Sequence, residues 1–409
     1  MATLRRIVDP PPDFAPRALY AAFDRFPSTK GAAVHIGEWA DELFDVAGTG
    51  LLHVLGGDGL PAFQRDVDEG GRTVEVVRFD EEVPNLLDRV DAYGRSLAAL
   101  TRAHLGTLEL VHVRDPWSAR AVLAAAGEAS RPFRFVFEVN GLPSIELPVT
   151  HPGLPAATLA KLRALEAATL AEADAILTPS RVLARRLAEL GVAPARIEVI
   201  PNGARLPDLP LPRPAAAPAR YAIYVGALQP WQGLSTLLHA FTRLADLPDL
   251  RLVICSATPP KRARPYVRLA AKLGLEDRVD WHHRVPHRDV AAWLAHAEVS
   301  VAPLVDGERN TVQGCCPLKV IESLAAGTPV VASDLEVVRE LVTDGEHGRL
   351  VAPDRPAELA RAIRVLHEYP ERAAAMGAAG RAHIAASLTW TRSREALRAA
   401  FAGLGFTPS

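Results

Sequence analysis

The chain has 409 residues, 49% hydrophobic and 23% charged, and its 48 acidic side chains against 46 basic ones give a formal net charge of −2. These proportions exclude a largely disordered chain, and the length favours two domains, since typical domains have about 100–200 residues. Without an excess of Lys and Arg to neutralise phosphates, a dedicated nucleic-acid-binding protein is excluded as well.

In the first half, short apolar runs alternate with longer helical patterns. This alternation is typical of a parallel sheet with crossover helices. The predicted strands cover residues 18–23, 51–55, 73–78, 108–113, 133–139 and 175–178, and the predicted helices cover 32–43, 89–104 and 156–173.

Residues 201–218 contain six prolines and no apolar periodicity. Such a segment is typical of a stiff, extended linker. We therefore predict a first domain over residues 1–203, a second over 204–389, and a C-terminal helical segment over 390–409 that packs back on the first domain.

The second half shows the same rhythm more plainly. Residues 221–225 are apolar at every position, as expected for a strand buried on both faces. Two doubly wound domains in sequence predict a cleft at the carboxyl ends of their strands, where open α/β sheets bind ligands. The other predicted strands cover 252–254, 279–281, 299–302 and 329–332, and the predicted helices cover 234–244, a basic stretch up to 273, 290–296, 317–326 and 391–402.

One predicted helix carries a chemically informative pattern. Pro317 suits the first helical position, and the free amides of that turn favour an anion. Lys319 and Glu322 lie three residues apart on one helix face, so the lysine can hold a phosphate and the glutamate can accept hydrogen bonds from sugar hydroxyls. The alternative is an amphipathic helix with an ordinary salt bridge between these two residues.

The segment Glu322-Ser-Leu-Ala-Ala-Gly-Thr-Pro-Val-Val-Ala332 resembles the donor-binding signature of family 4 glycosyltransferases. That family has the GT-B fold, an α/β architecture of two doubly wound, Rossmann-like domains that face a cleft. Further segments with the same resemblance are residues 173–180, 197–203, 224–233 and 344–351.

The resemblance implies a retaining, hexosyl-type glycosyltransferase (EC 2.4 class) that acts in carbohydrate biosynthesis without a cofactor or metal. Its donor would be a nucleoside-diphosphate sugar, with UDP as the candidate nucleotide. Its acceptor would be a sugar, a lipid-linked molecule or another small molecule.

The chain departs from the family pattern at three positions. Glu322 matches the second glutamate of an E-x7-E pair, which holds the donor ribose, but Gly314 stands where the first glutamate is expected. Ala227 and Gln232 replace two basic residues of the phosphate loop. We expect Lys319 and Arg309 to compensate; the alternative is a catalytically weak nucleotide-binding partner or regulatory subunit.

The resemblance also assigns the donor contacts. They fall in the phosphate loop, the signature helix, the loop near the base, and the loop that opens the first helix, for which a plain surface turn is the alternative. In the last of these loops, His35 is expected to be a packed histidine. The predicted donor-binding residues are Lys30, Gly31, Gly226, Gln232, Gly233, Arg284, Val285, Arg309, Lys319, Val320 and Glu322.

The acceptor is expected at strand ends of the first domain. Arg114 follows one predicted strand, and Glu138 and Asn140 end another. Glu138 is the candidate to orient or deprotonate the acceptor hydroxyl and, with Lys319, the candidate catalytic residue. A structural ion pair between Arg114 and Glu138 is the alternative and is compatible with that role.

Residues 260–272 are basic with no acid among them, which predicts a solvated helix face or a weak peripheral membrane contact. No metal site is predicted, because the adjacent pairs His282–His283 and Cys315–Cys316 cannot readily wrap one tetrahedral ion.

Cellular location is predicted from the cysteines and the apolar segments. Three cysteines are too few for a disulfide framework, and the first 16 residues lack the apolar region of a signal peptide. No stretch of about 18 apolar residues occurs. We expect a soluble, cytoplasmic protein.

Overall fold

The structure is a computed structural model that describes residues 14–57, 59–127 and 131–408. Within these residues the strands form two separate sheets, one from each half of the chain. The strands are β1 (Ala18–Arg25), β2 (Thr49–Leu55), β3 (Phe63–Val67), β4 (Thr73–Phe79), β5 (Leu110–Val113), β6 (Arg134–Glu138), β7 (Ala175–Thr178), β8 (Ile197–Val199), β9 (Arg220–Val225), β10 (Leu250–Ser256), β11 (Val279–His283), β12 (Val299–Ala302), β13 (Val330–Ser333) and β14 (Gly348–Val351).

Helices cover both sheets. They are α1 (Gly31–Ala47), α2 (Leu86–Ala103), α3 (Pro116–Ala126), α4 (Pro143–Thr150), α5 (Ala156–Glu172), α6 (Arg181–Glu189), α7 (Leu234–Phe241), α8 (Pro260–Lys272), α9 (His287–Ala295), α10 (Glu308–Thr311), α11 (Leu318–Ala325), α12 (Glu336–Arg339), α13 (Pro356–Glu368), α14 (Pro370–Ser387) and α15 (Trp390–Gly403).

The first sheet has the order β3-β4-β2-β1-β5-β6-β7-β8. Its pairings are parallel except that of β3 with β4, which is antiparallel. Strand β3 lies at the edge and is mostly exposed and polar, which is typical of an edge strand that faces solvent.

The second sheet has the order β11-β10-β9-β12-β13-β14 and is parallel throughout. In both sheets the order along the chain reverses beside the first strand, β1 or β9. The carboxyl ends of neighbouring strands diverge at such a position, and a ligand crevice forms there.

The first sheet is packed on both faces. On one face α2, α3, α5 and α6 contribute apolar side chains such as Tyr93, Val122 and Leu183. On the other face α1 and α15 contribute Trp39 and Phe401. The C-terminal helix therefore completes the core of the first domain, although it follows the second domain in sequence.

Ion pairs hold α15 on α1. Glu42 is only 1% exposed, and its two carboxylate oxygens lie 2.8 Å from Arg394 Nε and 2.6 Å from Arg398 Nε. Arg394 also contacts Asp45 at 2.5 Å. A buried carboxylate requires such partners, because an unpaired charge in the interior is strongly destabilising.

Two details of the elements bear on the cleft. Helix α11 begins at Leu318, so Pro317 is its N-cap and not its first residue, which places the start one residue later than the sequence predicted. The proline-rich segment lies between the last strand of the first sheet and the first strand of the second. Among the described helices, none is long and apolar enough to cross a bilayer.

Candidate functional site

A cleft of about 830 Å³ lies between the carboxyl ends of the two sets of strands. Residues from the end of β1, the start of α1, the end of β9, the start of α8 and the start of α11 form its walls. The predicted site residues that line it are Lys30, Gly31, Arg114, Asn140, Gly226, Gln232, Val285, Arg309, Lys319 and Glu322.

The cleft is strongly electropositive although the chain as a whole carries a net charge of −2. Two acidic side chains, Asp24 and Glu322, face seven basic ones across its walls. A cleft lined by one sign of charge attracts ligands of the opposite sign. The seven are Arg25, Lys30, Arg89, Arg114, Arg262, Arg309 and Lys319.

Lys319 lies at the floor of the cleft and is only 8% exposed. Its Nζ donates to Oε1 of Gln232 at 2.5 Å and lies 4.0 Å from the centre of the Tyr224 ring. Burial lowers the pKa of its ammonium group to about 7, and the nearby Cys315 and Glu322 only partly oppose that shift. Within residues 14–57, 59–127 and 131–408, Lys319 forms no ion pair with a carboxylate. A bound anion would therefore be the first group to pair directly with its charge.

Gly226 makes room for this lysine. It follows β9 with a φ of 137°, and a Cβ atom there would lie 3.2 Å from both Cε and Nζ of Lys319. A side chain at this position would therefore require a strained φ and a small shift of the end of the Lys319 side chain. Gly226 and Gln232 both contact Lys319, which gives the two predicted phosphate-loop residues a common function around one amine.

The start of α11 also faces the first domain. Pro317 and Leu318 line the cleft, and a Cβ atom on Gly31 would lie 3.0 Å from Cδ1 of Leu318. The amides at the start of a helix have no acceptor within the helix and attract anions. On the opposite wall Lys30, 57% exposed, lies 3.3 Å from Asp24 and precedes the first residue of α1.

Glu322 lines the cleft one turn after Lys319 along α11. Its Oε1 lies 2.7 Å from Nε2 of His287, at the start of α9. The hydrogen bond to Glu322 raises the pKa of His287, with burial acting in the opposite direction. The histidine fixes one carboxylate oxygen and leaves the other available for ligand hydroxyl groups.

Arg309 is held by residues of both domains. Its Nε lies 2.6 Å from Oε1 of Glu146 in α4, and its Nη1 donates to the carbonyl of Gly314 at 2.8 Å. Its guanidinium also stacks over Trp231, 5.6 Å from the ring centre. Arg309 is therefore positioned beside the cleft, but part of its charge is already paired.

The structure explains why Gly314 lacks a side chain. Its φ is 76°, in the left-handed region, and a Cβ atom would lie 2.9 Å from both Ser180 Oγ and Val182 Cβ of the first domain. The neighbouring Gln313 is fully buried and donates to Glu146 across the same contact. A glutamate at position 314 does not fit this backbone.

Glu138 lies behind the cleft wall, 1% exposed, and not at the cleft mouth as expected from the sequence. Its carboxylate accepts from Tyr20 at 2.7 Å, His112 at 3.1 Å, Arg114 at 2.9 Å and Asn140. Burial alone would raise its pKa, but the basic groups around it, foremost His35, hold that pKa well below its usual range. The ion pair with Arg114 is present, and a carboxylate so fully bonded is a poor base for an acceptor.

His35 is buried next to this network and touches the cleft. Its Nδ1 lies 2.7 Å from Asn202 Oδ1, and its Nε2 lies 2.8 Å from Glu138 Oε1. Asn202 in turn donates to the carbonyl of Cys316 at 2.8 Å. The side chain of Asn202 thus connects α1 with the residue that precedes Pro317.

Three further predicted donor residues do not face the cleft. Val320 is fully buried in the core, so its side chain cannot contact a ligand there. Gly233 has a φ of 70°, and a Cβ atom on it would overlap the carbonyl of Pro303, so it is needed for packing. Arg284 is exposed with a φ of 54° and lies outside the cleft lining, whereas its neighbour Val285 is part of it.

Sequence reasoning missed several lining residues. Arg25 follows the same rule that selected Arg114, a basic residue at a strand end, and could have been found. Arg262 was assigned with its helix to a solvated face, with a membrane surface or an anionic substrate as the alternative. No sequence pattern marked Arg89 and His287 as cleft residues. Their position in the cleft wall depends on the course of loops that the sequence pattern does not specify.

Across residues 14–57, 59–127 and 131–408, no set of three or more His, Cys, Asp or Glu side chains is arranged to hold a metal ion. The three cysteines are free thiols.

Comparison with known proteins places both halves of the chain in one group of enzymes. Residues 30–203 match the model of a glycosyl transferase 4-like domain, and residues 219–368 match the model of glycosyl transferases group 1. The D-inositol 3-phosphate glycosyltransferase 1 of Catenulispora acidiphila is 30% identical over 332 residues, which is 75% of each chain.

Other relatives match over a shorter range. The MMP alpha-(1->4)-mannosyltransferase of Mycolicibacterium hassiacum is 32% identical over 206 residues, 50% of this chain and 47% of the relative. A D-inositol 3-phosphate glycosyltransferase of Streptosporangium roseum is 33% identical over 249 residues, 56% and 55% of the two chains. The chain thus spans about half the length of these relatives.

Solved structures share the whole fold. Sucrose-phosphate synthase from Thermosynechococcus elongatus superposes with a TM-score of 0.76 at 20% identity, over 95% of this chain and 99% of that one. HepE of Anabaena, in complex with UDP and glucose, superposes with a TM-score of 0.70 at 16% identity, over 95% of this chain and 99% of that one. The fold is GT-B, as the sequence predicted, and the chain belongs to the family of group 1, type 4-like glycosyltransferases.

Proposed function

We propose that the protein transfers a glycosyl group from a nucleoside-diphosphate sugar to an acceptor seated on the first-domain wall, with retention of configuration and without a metal ion. The observation that carries this proposal is Lys319, a buried amine that forms no ion pair with a carboxylate of the described residues and lies in a cleft with more basic than acidic side chains. A diphosphate is the ligand that such an amine complements best.

The chemistry requires charge stabilisation at the leaving group. The bond between the anomeric carbon and the diphosphate oxygen breaks, a new bond forms to the acceptor oxygen, and the acceptor proton passes to the released diphosphate or to solvent. Negative charge therefore grows on the diphosphate, and preorganised donors there lower the barrier. Lys319 and the first amides of α11 supply them, with Arg309 beside them in place of the absent loop cations.

The rest of the donor fits the second-domain wall. Glu322, fixed by His287, has a free carboxylate oxygen for the ribose hydroxyls. UDP is the proposed nucleotide, supported by the complexes of HepE with UDP and with UDP-glucose. The lack of a glutamate at position 314 supports an atypical subgroup in which other residues contact the donor sugar.

The opposite wall fits an acceptor that carries negative charge. Arg25, Arg89 and Arg114 line it, with Asp24 as their acidic neighbour on that wall. The name D-inositol 3-phosphate glycosyltransferase of several relatives supports a phosphorylated acceptor. Membership of the family supports retention and metal independence, and the three free cysteines support a reducing, cytoplasmic location.

Calorimetry with a panel of nucleoside diphosphates, followed by hydrolysis of the matching donor sugars, tests the proposal. Lys319→Met removes the amine and keeps the apolar stem. We expect it to lower the turnover of donor by about 10²-fold or more, the usual cost of losing one transition-state donor. The matched control is Lys161→Met, which changes an exposed lysine of α5 outside the cleft.

The same assay tests the finer points. Activity unchanged by EDTA and an initial product with the anomeric configuration of the donor, read by NMR, are the expected results. Full activity of Lys319→Met would overturn the assignment of the amine. Tight nucleotide binding without turnover of any donor would instead favour a nucleotide-binding partner subunit.

A further inference from the structure

Helix α8 carries a stripe of basic side chains. Lys261, Arg264, Arg268 and Lys272 are separated by three, four and four residues, which places them along one face of an α-helix. All four are exposed. The helix contains no acid, and Glu276 and Asp277 come only after it has ended. Together, these four residues form the α8 stripe.

Several other basic residues of the same domain are neutralised by acids, unlike those of the α8 stripe. Arg220, Arg251 and Arg364 each form ion pairs with aspartate or glutamate at 2.5–2.8 Å. None of the four stripe residues takes part in an ion pair among residues 14–57, 59–127 and 131–408. Four unneutralised charges on one face are therefore a local excess in a chain of net charge −2.

The start of the stripe lies beside the cleft. Pro259, the N-cap of α8, and Arg262, in its first turn, line the cleft. At about 100° per residue, Arg262 is rotated by about 100° from Lys261 around the helix, so the stripe occupies a different face of α8 from the cleft lining. From the exposure, the spacing and the unneutralised charge of these four residues we propose that the α8 stripe docks the protein on an anionic lipid surface.

Lipid phosphates suit this stripe better than a folded partner does. A row of four long, exposed side chains gives charge without an apolar groove or a shaped pocket. Basic segments bind anionic leaflets because the attractions of their charges add up and depend little on orientation. Each Lys or Arg near the surface raises the affinity about five-fold. The docking does not depend on sugar transfer, so its failure would leave the proposed function intact.

Sedimentation with lipid vesicles tests the docking of the full chain. The vesicles consist of phosphatidylcholine alone or phosphatidylcholine with phosphatidylglycerol. We expect binding to the anionic vesicles only, lost at about 1 M salt, where the screening length falls to about 3 Å. Replacing all four stripe residues with glutamine should lower the partition coefficient at least about ten-fold, because the attraction per residue is lost.

The matched control removes the same number of positive charges elsewhere. Lys161, Arg163, Arg361 and Arg372 are exposed and scattered over other helices, and changing them to glutamine should leave vesicle binding within about two-fold of the parent. Circular dichroism and thermal unfolding confirm that both variants are folded.

Three outcomes would overturn the docking. The first is equal loss of binding in the stripe and control variants, which would point to net charge alone. The second is equal binding to neutral vesicles. The third is no vesicle binding by the parent chain while a DNA duplex binds through the stripe, which would point to a nucleic-acid surface.

Discussion

At the scale of single residues, the protonation of Lys319 decides how the cleft receives an anion. With a pKa of about 7, the amine is largely neutral at pH 8 in the free protein. A bound diphosphate favours the charged form and raises this pKa in the complex. Binding at pH 8 must then take up a proton, whereas at pH 6 the amine is already charged.

We therefore predict that binding of UDP takes up close to one proton at pH 8 and much less at pH 6. Affinity should fall as pH rises from about 7 toward the pKa of the complex, by at most about ten-fold per unit. Calorimetry in two buffers with different ionisation enthalpies measures the proton count.

Lys319→Met serves as the control, because it removes only the amine and leaves His287 and Cys315 in place. The uptake at pH 8 should vanish when the amine is absent. Equal proton uptake by the parent and by Lys319→Met would show that another group is responsible.

The spacing of Lys319 and Glu322 and the resemblance of their helix selected both residues, and both line the cleft; their contacts with phosphate and hydroxyl groups stay a prediction. The sequence pattern was not enough for Glu138. The rule that polar residues at strand ends face the cleft ignores neighbours, and here five side chains enclose the carboxylate of Glu138. Such enclosure depends on long-range contacts that a linear pattern does not contain.

At the scale of elements, the loop before α11 depends on one backbone conformation. Gly314 has a left-handed φ and packs directly on Ser180 and Val182, and the loop then leads into the helix that carries Lys319. The glutamate that the family pattern expects at this position is therefore excluded by backbone shape.

We predict that Gly314→Ala destabilises the protein by about 1–3 kcal/mol, because it adds both a strained φ and a close contact. Gly314→Glu should be at least as damaging and should not increase the turnover of donor. Thermal unfolding with and without UDP measures both effects.

Gly307→Ala is the matched control, at the N-cap of α10, just before Gly314 in the chain. That glycine has an extended φ of −148°, and a Cβ atom on it would meet nothing within 4 Å. A stable, more active Gly314→Glu variant would contradict the account.

Element prediction from the sequence depended on burial. Strand β9 is apolar at residues 221–225 and was predicted from that pattern, since both of its faces are covered. Strand β3 and helix α6 were missed, because the edge strand is polar and the helix is short. The predicted domain boundary falls in the segment between β8 and β9. It stays a prediction that rests on the composition of that segment.

At the scale of the whole molecule, the C-terminal helix makes the first domain dependent on the end of the chain. Helix α15 fills one face of the first sheet, and Arg394 and Arg398 neutralise the buried Glu42. The core of the first domain is therefore complete only when the C-terminal segment up to Phe406 is packed on it.

We predict that the double change Arg394→Met and Arg398→Met costs about 2–3 kcal/mol, since it leaves the Glu42 charge buried with few partners. Adding Glu42→Leu should recover most of the lost free energy of unfolding, because three apolar side chains at positions 42, 394 and 398 need no counter-charge. Unfolding by urea, followed by the intrinsic tryptophan fluorescence of the chain, to which Trp39 and Trp390 of this core contribute, is the measurement. No gain in stability from the third substitution would contradict this explanation.

The bridge made by Asn202 has a mechanical consequence. One amide side chain binds His35 on one side of the cleft and the carbonyl of Cys316 on the other, three residues before Lys319, the amine proposed to bind the diphosphate. A hinge motion that widened the cleft would strain these two hydrogen bonds before it disturbed either sheet. Release of the spent nucleotide and displacement of Lys319 would then occur in one movement.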